Sequence, residues 1–319
     1  MNAGRFSPNA VRLDDAARAG WLYYVAGNTQ DEIARKLGVS RQSAQRLVAM
    51  AVSEKLIKVR VDHPIARCMD LAGALSERFG LLSVEVVPSD PEAPGLLTGV
   101  AIAAAAELER VLKSPERRIV SLGTGRALKA TVEQLPRLSC PQHVVVSRLG
   151  NMMQDGSASP YNATISLAER VGAPHYPYPL PVLARNPAEL AAMRNQEAVL
   201  NTIRLCERAD LSLVGIGQMD RSAPMFLDGF ASAAEMDELV ALGAVGEITS
   251  WVYDRDGQII DCAFNERVAS ALLPRAADRP MIAVATGEAK VPAIEAALVG
   301  HLVNGLITSE ATAERLLAL

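Results

Sequence analysis

Four short segments combine small residues with groups able to hold an anion or a hydroxylated ligand. They are Gly123-Thr124-Gly125-Arg126, Ser147-Arg148, Gly215-Ile216-Gly217-Gln218-Met219-Asp220 and Thr286-Gly287-Glu288-Ala289-Lys290. Glycines let a ligand approach backbone amides closely, a helix that starts just after them adds the positive end of its dipole, and Arg or Lys supplies a full charge. Glu247, in Gly243-Ala244-Val245-Gly246-Glu247, could accept hydrogen bonds from sugar hydroxyls or could be a solvated carboxylate at a strand start. A lone segment of this kind usually reflects packing, but four in one chain, two of them with a helix start and a cation, favour an anionic or polyhydroxyl ligand.

A second group of residues suits nucleic acid. Arg41, Gln42, Ser43, Gln45 and Arg46 follow the bend Gly38-Val39-Ser40, where Arg can reach guanine and Gln adenine in the major groove. Lys36 and Ser43 suit phosphate, and Thr29, Gln30 and Ser40 border the same surface. The alternating stretch Leu56-Ile57-Lys58-Val59-Arg60-Val61 reads as a wing that lays Lys58 and Arg60 against the backbone. A basic three-helix bundle serving only protein contacts is the plainer alternative.

The elements that must position these groups follow from periodicity. Leu13, Ala16, Ala17, Trp21 and Tyr24 fall at helical spacing, giving a first helix that ends near Gly27-Asn28. Thr29-Gln30-Asp31-Glu32 is a capping box opening a two-turn helix, and Ser40 caps a third. From His63 to Gly80 an amphipathic segment joins the two parts. Beyond it, strands are predicted at 84–87, 119–122, 144–147, 211–216, 281–285 and 305–308. Helices are predicted at 96–112, 126–135, 162–171, 188–208, 233–242, 291–298 and 310–317. Such alternation predicts a Rossmann-like, mainly parallel, doubly wound α/β sheet, with ligands at the carboxyl ends of the strands. One antiparallel hairpin is expected around Asp256-Gly257, between 248–253 and 258–264.

Composition bounds the rest. The chain has 319 residues, about two domains' worth, and is half apolar with 4% aromatic residues. Its net charge of −4 is unevenly placed: residues 1–67 carry 11 Lys and Arg against 6 Asp and Glu, whereas 68–319 carry 21 against 30. A basic reader of +5 on an acidic body of −9 fits a nucleic-acid-binding arm. Cys68, Cys140, Cys206 and Cys262 lie more than fifty residues apart, as reduced cysteines of a cytoplasmic protein would. No apolar stretch approaches the about 20 residues of a membrane span, and residues 1–8 lack an apolar signal core. The catalytic motifs G-x-S-x-G, H-E-x-x-H and G-x-G-x-x-G are absent, and His143, His175 and His301 are isolated, so no catalytic residue, cofactor or metal is expected.

In order and spacing, several motifs resemble the SorC family of bacterial sugar-responsive transcriptional regulators: residues 29–41, Gly123-Thr124-Gly125-Arg126-Ala127-Leu128, Gly215-Ile216-Gly217, residues 243–247, and Lys290 through Ala313. The resemblance implies a winged helix-turn-helix domain over residues 1–62. It also implies an effector-binding and oligomerisation domain of NagB/RpiA/CoA transferase-like fold over 63–319. It implies operator DNA and a small sugar, polyol or sugar phosphate as partners, and a dimer or tetramer. The effector contacts it implies are Thr124, Gly125, Arg126, Arg148, Glu247 and Lys290, to which the loops at the strand ends add Gly123, Gly217, Gln218 and Gly287. Two positions depart from the family pattern: Thr286-Gly287 stands for Gly-Gly, and Thr308-Ser309-Glu310 for Thr-Asp-Glu. The first alters how closely a phosphate can approach the backbone, which leaves a sugar-like effector better supported than a phosphorylated one. A sugar-phosphate isomerase or deaminase-like enzyme is the competing reading.

Overall fold

The computed structural model describes residues 8–54, 56–57, 65–93, 95–150, 152, 157–159, 161–273 and 279–319. The chain divides into two compact units, 1–63 and 64–319. The wing expected over 56–61, with Lys58 and Arg60, falls almost wholly outside the described residues.

The first unit holds three helices, α1 (Pro8–Tyr24), α2 (Gln30–Leu37) and α3 (Arg41–Ser53). The capping box forms as read: the Glu32 carboxylate accepts from the Thr29 amide at 2.8 Å and its hydroxyl at 2.9 Å. Gly38 ends α2 at φ 66°, a left-handed conformation that favours glycine. Ser40 then caps α3, its Oγ accepting from the Ser43 amide at 3.1 Å. Small residues permit close approach of the helices: Ala19, Ile33, Ala34, Ala44 and Val48 make the core, with Leu22, Leu37, Val39 and Leu47 packed against it. The expected α1 face is corrected. Trp21 and Tyr24 are exposed, whereas Ala16 and Ala19 are buried, because α1 meets its neighbours along its alanines.

The second unit begins with α4 (Ala66–Phe79), followed by β1 (Ser83–Val87), α5 (Leu97–Leu112), β2 (Ile119–Leu122), α6 (Arg126–Gln134), β3 (Val144–Ser147), α7 (Ala163–Val171) and β4 (His175–Tyr176). It continues through α8 (Pro187–Arg194), α9 (Glu197–Glu207), β5 (Leu211–Val214), β6 (Gly217–Gln218), α10 (Pro224–Leu227), α11 (Ala233–Ala241), β7 (Ala244–Ile248) and β8 (Trp251–Asp254). It closes with β9 (Met281–Val284), α12 (Val291–Val299), β10 (Gly305–Ser309) and α13 (Glu310–Ala318). Seven strands form a wholly parallel sheet in the order β1-β10-β9-β5-β2-β3-β4. β2, β3, β5 and β9 are buried at every residue, as strands covered on both faces must be. Helices α5, α6 and α7 cover one face; α4, α12 and α13 cover part of the other, and α9 another part. Chain connections diverge between β2 and β5, so this is the switch point at which doubly wound sheets bind ligands.

Two other expectations are corrected. The single helix expected over 188–208 is broken, because Gln196 is extended and Arg194 is tied to the carbonyls of Val268 and Ser270 at 3.0 and 3.4 Å. The chain does turn at Asp256-Gly257: Gly257 takes φ 68°, its amide donates to the Asp254 carbonyl at 3.0 Å, and the Asp254 and Ile260 amides donate to the Gln258 and Val252 carbonyls at 3.0 and 3.1 Å. The second strand expected over 258–264 does not form beyond an isolated bridge, Tyr253 to Ile259, and the regular antiparallel ladder is instead β7 with β8, joined by Thr249-Ser250. Thr249 and Ser250 both take positive φ, 49° and 72°, which no turn propensity for these residues would suggest. β6 pairs with β7 to complete a three-stranded antiparallel sheet.

Candidate functional site

The loops after β2 and β5 meet at the switch point, and the β7–β8 turn and the start of α12 close over them. They enclose a cavity of about 250 Å³. Thr124, Gly125, Arg126, Gly217, Gln218, Glu247 and Lys290 all line it, so the structure brings together seven of the ten expected effector contacts. Gly123 sits just beneath, against the Thr249 methyl, and Gly287 follows the lining residue Thr286. Arg148 does not join them: it lines a different cavity.

Each contribution has a local cause. Gly125, at φ 112°, precedes α6 with no side-chain cap, leaving the first amides of the helix toward the cavity and the exposed Arg126 at its rim. Thr124 Oγ1 donates to the Tyr161 carbonyl at 2.7 Å, and the Tyr161 hydroxyl stands between Arg126 and Asp228, at 3.4 and 3.5 Å. Gly217 must lack a side chain, since a methyl group there would collide with the Glu247 carboxylate. The strained Thr249-Ser250 turn folds back on Glu247, whose Oε2 accepts from the Ser250 amide at 2.8 Å.

The site carries opposed charges in half-buried positions. Burial raises the Glu247 carboxyl above its usual range, against the pull of the Ser250 amide and the Lys290 charge. Burial lowers the Lys290 ammonium, and Glu247 partly restores it. Lys290 Nζ donates to the Ile216 carbonyl at 2.7 Å, its one hydrogen-bond partner among the described residues, so an ammonium with three donors can also serve a ligand. Gln218 Oε1 and Thr249 Oγ1, both buried, have no hydrogen-bond partner among the described residues. A surface offering a carboxylate, an ammonium, an amide and a hydroxyl in one small space matches ligand hydroxyls, which donate and accept at once.

Sequence reasoning missed Tyr161, Asp228, Thr249 and Ser250 as lining residues, whereas Thr286 lies in a segment it had singled out. Asp228-Gly229 was a readable turn signal, whereas nothing local marks a Thr-Ser turn at positive φ. The two departures from the family pattern meet in space: Thr286 Oγ1 and Ser309 Oγ are 2.6 Å apart, and both reach Thr312 Oγ1 at 3.1 Å.

On the first unit, Arg41, Gln42, Gln45 and Arg46 are exposed along α3, and Ser43 is half-buried. The hydroxyls of Thr29 and Ser40 are committed to helix caps, Ser43 Oγ pairs with Ser40 Oγ at 2.9 Å, and Lys36 Nζ binds Asn28 Oδ1. Gln30 is half-buried in the first turn of α2.

The family model described as "Putative sugar-binding domain" matches residues 63–318. The erythritol catabolism regulatory protein EryD of Brucella abortus is 33% identical over 302 residues, spanning 95% of this chain and 96% of its own. The transcriptional regulator LsrR of Klebsiella pneumoniae is 31% identical over 308 residues, 95% of this chain and 92% of its own. The full-length sorbitol operon regulator SorC of Klebsiella pneumoniae superposes with a TM-score of 0.69 at 28% identity, over 96% of this chain and 99% of that one. The chain belongs to the SorC family of sugar-binding transcriptional regulators. These relatives are regulators of transcription, so the isomerase or deaminase reading finds no support and this SorC-family chain is a regulator rather than an enzyme. Among its described residues no three or more His, Cys, Asp or Glu side chains could hold a metal ion, and no helix is long and apolar enough to cross a membrane.

Proposed function

We propose that this regulator binds a small polyol or sugar in the switch-point cavity and that occupancy sets its affinity for operator DNA. In this reading residues 1–62 form a winged helix-turn-helix reader, and residues 63–319 a NagB/RpiA/CoA transferase-like effector-binding and oligomerisation domain. The observation that carries the effector class is the pairing of Glu247 and Lys290 with two unpartnered polar atoms, Gln218 Oε1 and Thr249 Oγ1, in a cavity of about 250 Å³. Only Arg126 and Lys290 among the lining residues are cations, and Glu247 and Asp228 offset them, which favours hydroxyls over a phosphate group.

DNA binding rests on α2, the Gly38 turn and α3, with Arg41, Gln42, Gln45 and Arg46 exposed on the helix that enters the groove. A dimer or tetramer places paired readers on half-sites about 34–36 Å apart. The effector favours one of two arrangements of the effector domains and so changes the spacing of the readers.

The test is a thermal-shift panel with erythritol first, because EryD is named for that polyol's catabolism, then sorbitol and other hexitols, pentitols, and the phosphates of each. A ligand at 100 times its dissociation constant stabilises by about 2.7 kcal/mol. Lys290→Met should weaken binding about 10- to 100-fold, the range for a charged hydrogen bond. Identical shifts in wild type and variant would remove Lys290 from the site. A gel-retardation assay with DNA from upstream of its own gene, with and without the stabilising ligand, tests the coupling. Retardation insensitive to that ligand would refute it.

A further inference from the structure

The second unit contains a larger cavity, of about 620 Å³, beside α9 and the amino ends of β5 and β9, where Ala209, Ser212, Pro280 and Met281 border it. It lies apart from the switch-point cavity at the carboxyl ends of the strands, and the two share no lining residue. Arg148 lines it with 2% of its surface exposed. Its Nη2 donates to the Leu272 carbonyl at 2.8 Å, while Nε has no hydrogen-bond partner among the described residues.

No carboxylate among the described residues pairs with Arg148. The groups that act on its charge are Cys206 and Tyr178, and burial disfavours its charged form. A guanidinium nevertheless keeps its proton in proteins, so among the described residues this buried cation has no counter-charge, an arrangement that is costly unless something anionic joins it. Two further residues that line the cavity, Tyr178 and Ser270, carry buried hydroxyls with no hydrogen-bond partner among the described residues. Arg194 lies near the Tyr178 hydroxyl without completing a hydrogen bond, and burial pushes that hydroxyl up to about 12, so it remains a donor. Arg194 and Arg279 also line the cavity, against one carboxylate, Glu207. Asp210 and the Arg208 carbonyl hold Arg279, and the Val268 and Ser270 carbonyls hold Arg194, whereas Arg148 has no carboxylate partner among the described residues.

We propose that this cavity is a second ligand site, one that takes a small oxyanion, a carboxylate or a phosphate, on the unpaired edge of Arg148 with Tyr178 and Ser270 as further donors. A guanidinium edge presents two parallel N–H groups to two anion oxygens, and the two hydroxyls complete the shell. Ile203, Ala271, Leu272 and Leu273 offer an apolar wall to whatever carbon skeleton carries the anion.

The experiment is isothermal titration of the full chain with inorganic phosphate and, separately, with propionate, ionic strength being held constant with chloride. Saturable binding of one anion per chain is expected, and the anion that binds identifies the headgroup. Arg148→Met should abolish it; Tyr178→Phe, which removes one hydroxyl and no packing atom, should weaken it about tenfold. Lys290→Met should leave it unchanged, because Lys290 lines the other cavity. The proposal is overturned if neither anion binds saturably, if Tyr178→Phe binds like wild type, or if binding is lost in Lys290→Met and kept in Arg148→Met.

Discussion

Thr286 Oγ1 and Ser309 Oγ lie 2.6 Å apart, and these are the two positions at which the chain departs from the family pattern it resembles. Ser309 also caps α13, its Oγ accepting from the Thr312 amide at 3.4 Å, and Thr312 Oγ1 accepts from the Gly287 amide at 3.0 Å. One hydroxyl cluster therefore ties the carboxyl ends of β9 and β10 together behind the effector cavity. Ser309→Ala removes a helix cap and a buried partner, so a loss of about 1–3 kcal/mol is expected. Urea denaturation measures it, and a loss within experimental scatter would show the cluster to be dispensable.

The pH dependence of stability should reveal Glu247. Burial holds its carboxyl above its ordinary 4.5, so over that window the native state keeps a proton that the unfolded chain has released. Native stability contributed by this group is complete below 4.5 and falls as pH rises through the folded value. Gln does not titrate, so the stability of Glu247→Gln relative to wild type should climb across the same window and then level off. Denaturant midpoints between roughly pH 4 and 8 test this; parallel curves for the two proteins would disprove it.

The turn at Thr249-Ser250 holds strain that glycine would relieve. Ser250 at φ 72° costs about 1–2 kcal/mol relative to a right-handed conformation, and glycine would recover most of that while losing about 0.4–1 kcal/mol through the freer unfolded chain. Ser250→Gly should therefore stay within about 1 kcal/mol of wild type. Ser250→Val should lose about 2 kcal/mol or more, because a β-branched residue fits this region poorly. Comparable stability of the two variants would show that the turn had rearranged.

Readout of DNA separates two kinds of contact. Arg41→Ala or Gln42→Ala should cost about 1–3 kcal/mol at the cognate site and relax preference at one base position. Lys58→Ala should weaken binding to all sequences and reduce the salt slope by about one. Fluorescence anisotropy with specific and scrambled duplexes at several salt concentrations distinguishes them. Unchanged affinity in all three variants would place the reading surface elsewhere.

Local sequence by itself determined much of this architecture. The capping box at Thr29 and Glu32, the Ser40 cap and the positive φ of Gly38 follow from interactions within a few residues. Apolar runs such as 119–122 and 144–147 had to be strands covered on both faces, and strand-to-helix alternation required a parallel sheet. That arrangement alone sent Thr124, Gly217 and Lys290 toward one edge.

Tertiary structure decided what depends on distant neighbours. Arg148 continues the β3 ladder by one residue, its amide donating to the Leu122 carbonyl at 2.8 Å, and strand alternation then turns it and Leu149 toward different cavities. Glu247 became a desolvated carboxylate because β6 and the Thr249-Ser250 turn close around it, and the Trp21 and Tyr24 rings stayed exposed because α1 packs on its alanines. Burial and strand facing are sums over contacts far apart in the chain, and no local spacing records them.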